Sequence, residues 1–562
     1  MLARSLLAGL LAATLGHAEE EPYGFWQSRE KAFSDLVFAR DPGNHLPLAV
    51  SLSPESFVLP SYVGGKSGGE GICVLGFLLS ADLNGDPRVR PLLRSALRWS
   101  SPEGIPGNNI GAKATRSYWY ELFPAILLTQ LALRHPESVE MDANLTRMAG
   151  RYARIVTALG GAHADFNQTG FVTYGPSQGP VTNGRWTEPD ASAAMAYVCY
   201  AAWLRHGEPA HLKAARWAMD ALDRRSPSEG NPLYEICLYC APALAARMNR
   251  EVGTRYDVAK LAAWCLDTNA ATNSVRPRWG RLDRDFGGVA ATGLCGSTRD
   301  GDGYAFAMNT FVAASMLAPL AAEKPEMAPE IGRWLSQISR SGRNFFANEV
   351  DAQHQSAPEH RGTPLAAVPY EGLRERKRLS AKTQEASPGS WSAMLPAAGE
   401  IRWQAIMPAA ENKALRLRVL DAERLEIFVG NYQLRPGQTS LGGRLPVAHG
   451  GIRFEFSIGG APARLTKLRV ECHPASGPWL TGDQLFHDWG GQTDLAVYGG
   501  AHIGSFSALI LPSEDPRIQG FDLAATDHLG HGKLPRRLLV NCSDEMVDLE
   551  GQAIPAHGVT LR

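Results

Sequence analysis

The sequence predicts a mainly helical protein with a β domain: an N-terminal (α/α)6 toroid of helical hairpins followed by a C-terminal antiparallel β-sandwich. Two observations indicate this fold class. Between residues 20 and 376 one helical pattern follows another, and nearly apolar helices alternate with amphipathic ones. Beyond residue 376, short alternating runs take over, separated by glycine, proline and asparagine, as in a β-sandwich.

Apolar periodicity predicts the helices, and many of them start with proline in the first turn or with a preceding serine, threonine or aspartate. We expect helices over residues 26–39, 71–81, 88–99, 118–133, 137–159, 189–206, 209–222, 232–249, 256–266, 304–321 and 328–348.

The predicted helices differ in polarity. An inner ring of buried helices surrounded by an outer ring of amphipathic helices explains the alternation. A helical solenoid is the alternative, but the sequence contains no repeat motif of fixed period. The patterns at 118–133, 189–204, 232–249 and 304–321 are almost entirely apolar or small, whereas those at 137–159 and 209–222 carry charge on one face.

The C-terminal part predicts strands at 401–406, 414–419, 425–429, 452–458 and 465–472, with closing strands at 538–541 and 559–561. We therefore expect four segments: a signal peptide at 1–18, the toroid at 19–376, a polar linker at 377–384 and a β-sandwich-like domain at 385–562.

The N-terminus has the pattern of a signal peptide. Arg4 supplies a positive charge, an apolar run covers residues 6–15, and Gly16-His17-Ala18 offers small residues for cleavage. The run is shorter than the roughly 20 residues that span a bilayer. We expect cleavage near Ala18 and a secreted or periplasmic mature protein.

Composition restricts the partners. The formal net charge is −1, with 44% hydrophobic and 20% charged residues, which is typical of a globular protein and gives no sign of nucleic-acid or anionic-membrane binding. Cys237 and Cys240 form a C-x-x-C pair without a second pair nearby, so buried core thiols are favoured over zinc. No cofactor or metal is expected, and one disulfide remains an alternative.

Four loops that lead into apolar helices each combine an aromatic residue with a carboxylate. They are 116–121, 185–190, 231–235 and 296–304, the last leading to Asn309. Sugars present apolar faces that stack on aromatic rings and hydroxyls that need polar partners. Glycosidic cleavage needs two positioned carboxyl groups. This pattern therefore predicts a carbohydrate site at one rim of the helical domain.

The catalytic candidates are Asp190 or Glu188 paired with Asp300 or Asp302, with Glu121 as a third acid. The capping alternative is strong, because a carboxylate in a first helical turn already stabilises the helix dipole. Glu121 lies inside an apolar helix and needs either an ion pair with Arg116 or a role in the site. If these acids are catalytic, all five should share one rim.

Substrate-binding candidates surround these acids. We expect sugar stacking from aromatic side chains and a carboxylate contact from arginine, which binds carboxylates bidentately. An acidic sugar such as a uronic acid is therefore a plausible substrate, although solvated arginines are the simpler alternative. The candidates are Trp119, Trp186, Tyr304, Tyr234, Arg185, Arg299 and Asn309.

The segment Tyr118-Trp119-Tyr120-Glu121-Leu122-Phe123-Pro124 resembles the W-x-x-E-I-x-x-P helix opening of toroid polysaccharide lyases. The order of toroid then β-sandwich is also similar to those lyases. The tryptophan-rich rim and the acids at helix starts look more like the glycosidase branch of the same six-hairpin proteins. The resemblance implies a carbohydrate-active enzyme and places the chain in no single family.

From these features we expect an exported glycoside hydrolase that acts on an oligo- or polysaccharide containing uronic acid. Two alternatives stay open. A polysaccharide lyase would use a tyrosine or histidine base to abstract a proton next to the uronate carboxyl. A glycan-binding protein on a toroid without activity is the other.

Overall fold

A computed structural model of the chain describes residues 21–41, 43, 45–65, 69–109, 117–167, 171–172, 180–181, 187–268, 279–297, 303–375, 379–381, 383–395, 398–409, 412–448, 450–474, 478–482, 492–549 and 551–562. The predicted signal peptide lies outside these residues. Within them, no helix combines the length and the apolar character needed to cross a bilayer.

The helical part follows the predicted order closely. Its α-helices are α1 Pro22–Val37, α2 Gly71–Leu83, α3 Trp119–Arg134, α4 Val139–Ala158, α5 Ala191–His206, α6 Pro209–Arg224, α7 Ala241–Val252, α8 Val258–Cys265, α9 Ala307–Leu317, α10 Leu320–Glu323, α11 Ala328–Ser341, α12 Val497–Gly500 and α13 Ile503–Ser507. The predicted helix at 88–99 is a 3₁₀ helix, Arg90–Trp99, and short 3₁₀ turns join several of the others.

Two predicted helices begin later than expected. The residues from 231 to 236 are not helical, and Glu235 has a φ of 54°, in the left-handed region. A 3₁₀ turn, Cys237–Cys240, then leads into α7. Tyr304–Phe306 forms a strand before α9. In both cases the apolar run begins in extended or irregular backbone, which periodicity cannot distinguish from buried helix.

The contacts among the apolar helices form a closed cycle. Helix α2 contacts α3, α3 contacts α5, and α5 contacts α7 and the turn before it. From there α7 contacts α9, α9 contacts α13, and α13 contacts α2. The amphipathic helices α4 and α6 pack outside α5. The last helix of the cycle, α13, comes from the C-terminal part of the chain.

The strands fall into several antiparallel sheets. They are β1 Ser51–Leu52, β2 Phe57–Val58, β3 Phe171–Val172, β4 Pro180–Val181, β5 Trp279–Arg281, β6 Cys295–Ser297, β7 Tyr304–Phe306, β8 Gly372–Arg374, β9 Leu379–Ala381, β10 Thr383–Ser387, β11 Ser390–Leu395, β12 Gly399–Ile406, β13 Ala414–Asp421, β14 Glu426–Gln433, β15 Ser440–Val447, β16 Gly450–Ile458, β17 Ala461–Pro462, β18 Lys467–Pro474, β19 Trp479–Thr481, β20 Ile510–Leu511, β21 Ile518–Asp522, β22 Arg537–Asn541, β23 Val547–Leu549, β24 Gln552–Ile554 and β25 Val559–Leu561.

Two sheets enclose a separate β core. One has the order β10-β11-β16-β13-β14 and the other β15-β12-β18-β9. Inward residues such as Leu417, Trp403 and Phe454 are at most 3% exposed. Strand β9 lies in the segment predicted as a linker, 377–384, and β10 begins in it; they pair with β18 and β11, respectively.

The β core is shorter than the predicted 385–562 unit. Its buried cluster runs from residue 381 to residue 479, whereas Tyr498, Phe506 and Phe521 belong to the helical core. The sheet β20-β21-β22-β25 lies beside α11, with β22 and β25 in contact with that helix. The chain therefore leaves the helical part, builds the β core and returns to complete the helical part.

A third sheet joins the two parts and borders the site. Its order is β19-β8-β7-β6-β5, so β19, which follows the β core, pairs with β8, which precedes it. Cys237 and Cys240 are buried as predicted, at 2% and 4% exposure.

Candidate active site

The carboxylate of Glu188 is engaged at the start of a neighbouring helix. It accepts hydrogen bonds from the Ser117 hydroxyl, from the backbone N–H of Tyr118 at 3.0 Å and from that of Trp119 at 3.3 Å. These N–H groups open α3, where the helix leaves donors unsatisfied. A negative charge there also favours the helix dipole. The capping alternative thus describes Glu188 well, except that the capped helix is α3 and not its own.

Asp190 ties two segments of the helical part together. It directly precedes α5 and is 2% exposed, and its Oδ2 accepts a hydrogen bond from the backbone N–H of Tyr234 at 3.2 Å. Burial, and then the charge of Glu188, raise the pKa of Asp190 well above its ordinary value. Asp190 thus lies close to Glu188 and contacts the segment that follows Asn231.

Glu121 is fully buried within α3 and forms an ion pair with Arg151 of α4, with 3.6 Å between Oε1 and Nε. Arg116, the predicted partner, lies outside the described residues. Arg151 is itself 2% exposed, so a buried ion pair joins the apolar helix α3 to the amphipathic helix α4. The ion-pair alternative therefore describes Glu121, with a different arginine.

Seven further residues that were predicted to belong to the site divide into two groups. Trp186, Arg185, Arg299, Asp300 and Asp302 lie outside the described residues, so their roles stay predictions. Trp119 and Asn309 lie in the core at 6% and 0% exposure. The indole of Trp119 packs against Tyr120, with 4.8 Å between ring centres. Neither Trp119 nor Asn309 presents a surface for sugar stacking.

Two glutamates that were not predicted as catalytic come together at this end of the helices. Glu70 directly precedes α2, and its carboxylate accepts hydrogen bonds from Ser61 Oγ at 3.0 Å and Asn108 Nδ2 at 2.7 Å. Glu235 is partly exposed. Burial and the charge of Glu70 raise the pKa of Glu235 from 4.5 to about 8.

Two tyrosines lie beside these carboxyl groups. The Tyr234 hydroxyl hydrogen-bonds to Glu235, and the Glu235 charge, together with burial, raises the pKa of Tyr234. Burial, and then the charges of Glu235 and Glu70, raise the pKa of Tyr120. Glu70, Tyr120, Tyr234 and Glu235 therefore form one group, which we name the carboxyl cluster.

A chain of aromatic rings borders the carboxyl cluster. The distances between ring centres are 6.4 Å for Tyr234–Trp279, 5.8 Å for Trp279–Phe306, 5.9 Å for Phe306–Tyr498 and 5.5 Å for Tyr498–Tyr62. This aromatic wall, Tyr234–Trp279–Phe306–Tyr498–Tyr62, begins beside Glu235. It ends next to Ser61, which binds Glu70.

Additional polar groups are attached to the aromatic wall. The Tyr498 hydroxyl donates to the carboxylate of Glu371, which is 4% exposed. The Arg374 guanidinium lies 3.7 Å from the ring centre of Tyr304, and that ring is 5.6 Å from Phe306. Predicted Tyr304 is thus near the wall, but Arg374 covers one of its faces.

A cavity of about 190 Å³ lies beside Pro189 and is lined by Phe166, Asn167, Arg225 and others. It contains neither Glu70 nor Glu235. Arg225 donates to the carbonyls of Gly230 and Glu229 and to Asn167. Because these contacts already engage its guanidinium, the carboxyl cluster is the better candidate for chemistry. Among the described residues, no group of three or more acidic, histidine or cysteine side chains is arranged to hold a metal ion.

The sequence contained signals for the glutamates that it did not identify as catalytic. Glu235 ends the third of the four predicted loops, although only Tyr234 was selected from it. Glu70 directly precedes a helix with no charged residue in its first ten positions. An acid in that position has no polar neighbour within its own helix and must find partners elsewhere.

The sequence matches no protein-family model and no curated protein. Among solved structures, it is similar to a GH127 β-L-arabinofuranosidase from Geobacillus stearothermophilus T6. The identity is 12%, the match covers 76% of each chain, and the TM-score is 0.30. A likeness at this level carries no conclusion about fold or activity.

Proposed function

We propose that this chain is a glycoside hydrolase whose reacting groups are Glu235 and Glu70. The observation that carries the proposal is the unequal surroundings of two neighbouring carboxyl groups. Burial raises the pKa of both, but Glu70 receives two hydrogen bonds that favour its charged form, whereas the charge of Glu70 makes ionisation of Glu235 harder. Two acids whose surroundings separate their pKa values in this way suit the acid and base roles of glycoside cleavage.

In the proposed reaction the glycosidic C–O bond breaks and Glu235 gives its proton to the departing oxygen. The ionised Glu70 either takes a proton from the attacking water or forms a bond to the anomeric carbon, which water then cleaves. Both routes consume one water. In the second route Glu235 takes a proton from that water, and both carboxyl groups return to their starting states. In the first route Glu70 ends protonated and Glu235 ionised, so a proton must pass from Glu70 to Glu235 through solvent before the next turnover. The raised pKa of Glu235 keeps it protonated near neutral pH.

One ring of the aromatic wall supports a carbohydrate substrate: Tyr234 is partly exposed, whereas the other four rings are at most 9% exposed. Partly exposed Tyr234 lies at one end of the wall and hydrogen-bonds to Glu235, so a sugar ring beside it would meet the proton donor. A uronic-acid residue is part of the proposal, because Arg374 supplies a fixed cation near this wall. The six-hairpin toroid is part of it as well, supported by the closed cycle of helix contacts.

The lyase alternative is weaker. It needs a tyrosine or histidine that accepts a proton. Burial, and then the charge of Glu235, raise the pKa of Tyr120, and the charge of Glu235 with burial raises that of Tyr234, so their deprotonated forms are harder to reach. A tyrosine in this setting is a donor and not a base.

The test is turnover on a panel of aryl glycosides and uronate-containing oligosaccharides, measured as released reducing sugar. Glu235→Gln should lower kcat by about 10²–10⁴-fold, the usual contribution of a general acid. Glu330→Gln, at an exposed position in the first turn of α11, is the matched control and should retain normal turnover. Full activity of Glu235→Gln would contradict the assignment, and an unsaturated uronate product would indicate a lyase.

A further inference from the structure

The start of α2 receives its acceptors from a distant residue. The backbone carbonyl of Asn108 accepts from Gly71 N at 3.1 Å, and its side-chain Oδ1 accepts from Ile72 N, also at 3.1 Å. The N–H groups of Cys73 and Val74 bind the carbonyl of Glu70. These four bonds satisfy the donors that a helix start leaves open.

This arrangement changes what the side chain of Glu70 does. Glu70 occupies the N-cap position, where a short polar side chain normally accepts from the first turn. Asn108 already supplies those acceptors. The Glu70 carboxylate is turned instead toward Ser61 and Asn108, where its charge acts on Glu235 and Tyr120.

The orientation of the Asn108 amide follows from its two contacts. A backbone N–H can only donate, so the group facing Ile72 must be the amide oxygen. The amide nitrogen therefore faces Glu70, at 2.7 Å, and donates to it. Asn108 is 3% exposed, so water does not compete strongly for either bond. One buried side chain thus links the helix start to the reacting carboxylate.

The local packing allows this close approach. A Cβ at position 71 would lie 2.8 Å from the Gly107 carbonyl oxygen and 3.0 Å from the ring of Trp99. Only glycine at 71 lets the segment carrying Asn108 come so near the helix. The backbone is therefore fitted to place this amide between α2 and Glu70.

We propose that Asn108 is a positioning residue for the hydrolytic reaction: it caps α2 in place of Glu70 and holds the Glu70 carboxylate in the carboxyl cluster. This inference rests on the proposed function. Asn108 touches no reacting atom of the substrate and acts through Glu70 alone.

The test uses Asn108→Asp, which separates the two contacts. The new carboxylate still accepts from Ile72 N, and aspartate is a good capping residue. It no longer donates to Glu70 and adds a like charge beside it. We expect the acidic limb of the kcat/KM profile to move up by about one pH unit or more and the thermal midpoint to fall, because a second carboxyl group then lies buried beside Glu70. Asn144→Asp, at another buried asparagine that accepts from Ser100 Oγ at 2.9 Å, is the matched control and should leave the limb in place.

A second readout needs no substrate. Because burial raises the pKa of Glu70 in the folded state, its contribution to stability is lost as pH rises through that pKa. The difference in thermal midpoint between the unchanged protein and Glu70→Gln, followed against pH, reports this titration. In the Asn108→Asp background the same difference should appear at higher pH.

The outcomes separate the two hypotheses. If Glu70→Gln loses turnover but Asn108→Asp leaves both the limb and the titration unchanged, the positioning role is wrong and the proposed function stands. If Glu70→Gln retains full turnover, the assignment of Glu70 in the proposed function is wrong. A shift in both readouts with Asn108→Asp, absent with Asn144→Asp, supports the inference.

Discussion

The backbone N–H groups at the starts of α2 and α3 are satisfied by different residues. At α3, the carboxylate of Glu188 accepts from Tyr118 N and Trp119 N. At α2, a carbonyl and an amide oxygen of Asn108 accept from Gly71 N and Ile72 N. Each helix start receives acceptors from elsewhere in the chain, and each has an acid beside it.

The difference lies in what remains for that acid to do. Glu188 is occupied by the helix start, which favours its charge and fixes its position. Glu70 is relieved of capping by a neutral amide, and its charge raises the pKa of Glu235 more than the charge of Glu188 does. In this protein, the acid that remains a catalytic candidate is the one whose helix start has its backbone N–H groups satisfied by another residue.

The largest expected effect comes from exchanging the two acids for amides. Glu70→Gln should lower kcat by about 10²–10⁴-fold, because the ionised carboxylate is lost from the reaction. Glu188→Gln should lower kcat far less, since that residue faces the helix start. Turnover of the two variants on one substrate measures the comparison. A larger loss in Glu188→Gln would reverse it.

The next effect concerns pH. Glu235 has a folded-state pKa of about 8 against an ordinary 4.5. Its contribution to stability is therefore complete below about pH 4.5 and is lost as pH rises toward 8. The thermal midpoint should fall more steeply between pH 5 and pH 9 in the unchanged protein than in Glu235→Gln, and kcat/KM should decline above about pH 8. Parallel stability curves for the two proteins would contradict the assigned pKa.

Glu188→Gln should reveal its role through stability. The amide keeps one acceptor but loses the charge at the start of α3 and leaves a buried donor less well satisfied. We expect a loss of about 1–2 kcal/mol in the free energy of unfolding, measured by urea denaturation. Glu70→Gln is the comparison and should lose less. An unchanged stability of Glu188→Gln would mean that its carboxylate is not needed as a cap.

The smallest effect comes from Ser61→Ala, which removes the second hydrogen bond to Glu70. This variant loses one hydrogen bond to the carboxylate and adds no like charge, so the acidic limb of kcat/KM should move up by less than in Asn108→Asp. Ser95→Ala, which removes a buried serine bonded to the Leu92 carbonyl, is the control and should leave the limb unchanged. A shift equal to that of Asn108→Asp would show that Ser61 matters as much as the amide.

Most helices and strands were predictable because their signals are local. The predicted helix at 209–222 is observed at Pro209–Arg224, and the predicted strand at 452–458 at Gly450–Ile458. Apolar periodicity and proline at a helix start are sufficient for these. The packing of residues 495–510 in the helical core was not predictable, because most of the core residues that they join lie more than a hundred positions earlier in the chain.

The site was harder to predict for the same reason. The sequence identified the region of Glu188 and Asp190 but could not show which acids are engaged in capping. That depends on Ser117 and Tyr234, which contact them only through the fold. The left-handed backbone of Glu235 also conflicts with the helical pattern around it. Predicting a helix from residue 232 therefore gave no reason to place Glu235 close to Glu70.

The return of the chain to its helical part has a consequence for synthesis. Helix α13 contacts both α2 and α9, and Tyr498 completes the aromatic wall, yet both follow the whole β core in sequence. Domains generally fold as they emerge from the ribosome, the N-terminal ones first. Here the last neighbour of the N-terminal helices, α13, is synthesised only after the β core at residues 381–479. The carboxyl cluster therefore gains its complete aromatic border only after the β core has been synthesised.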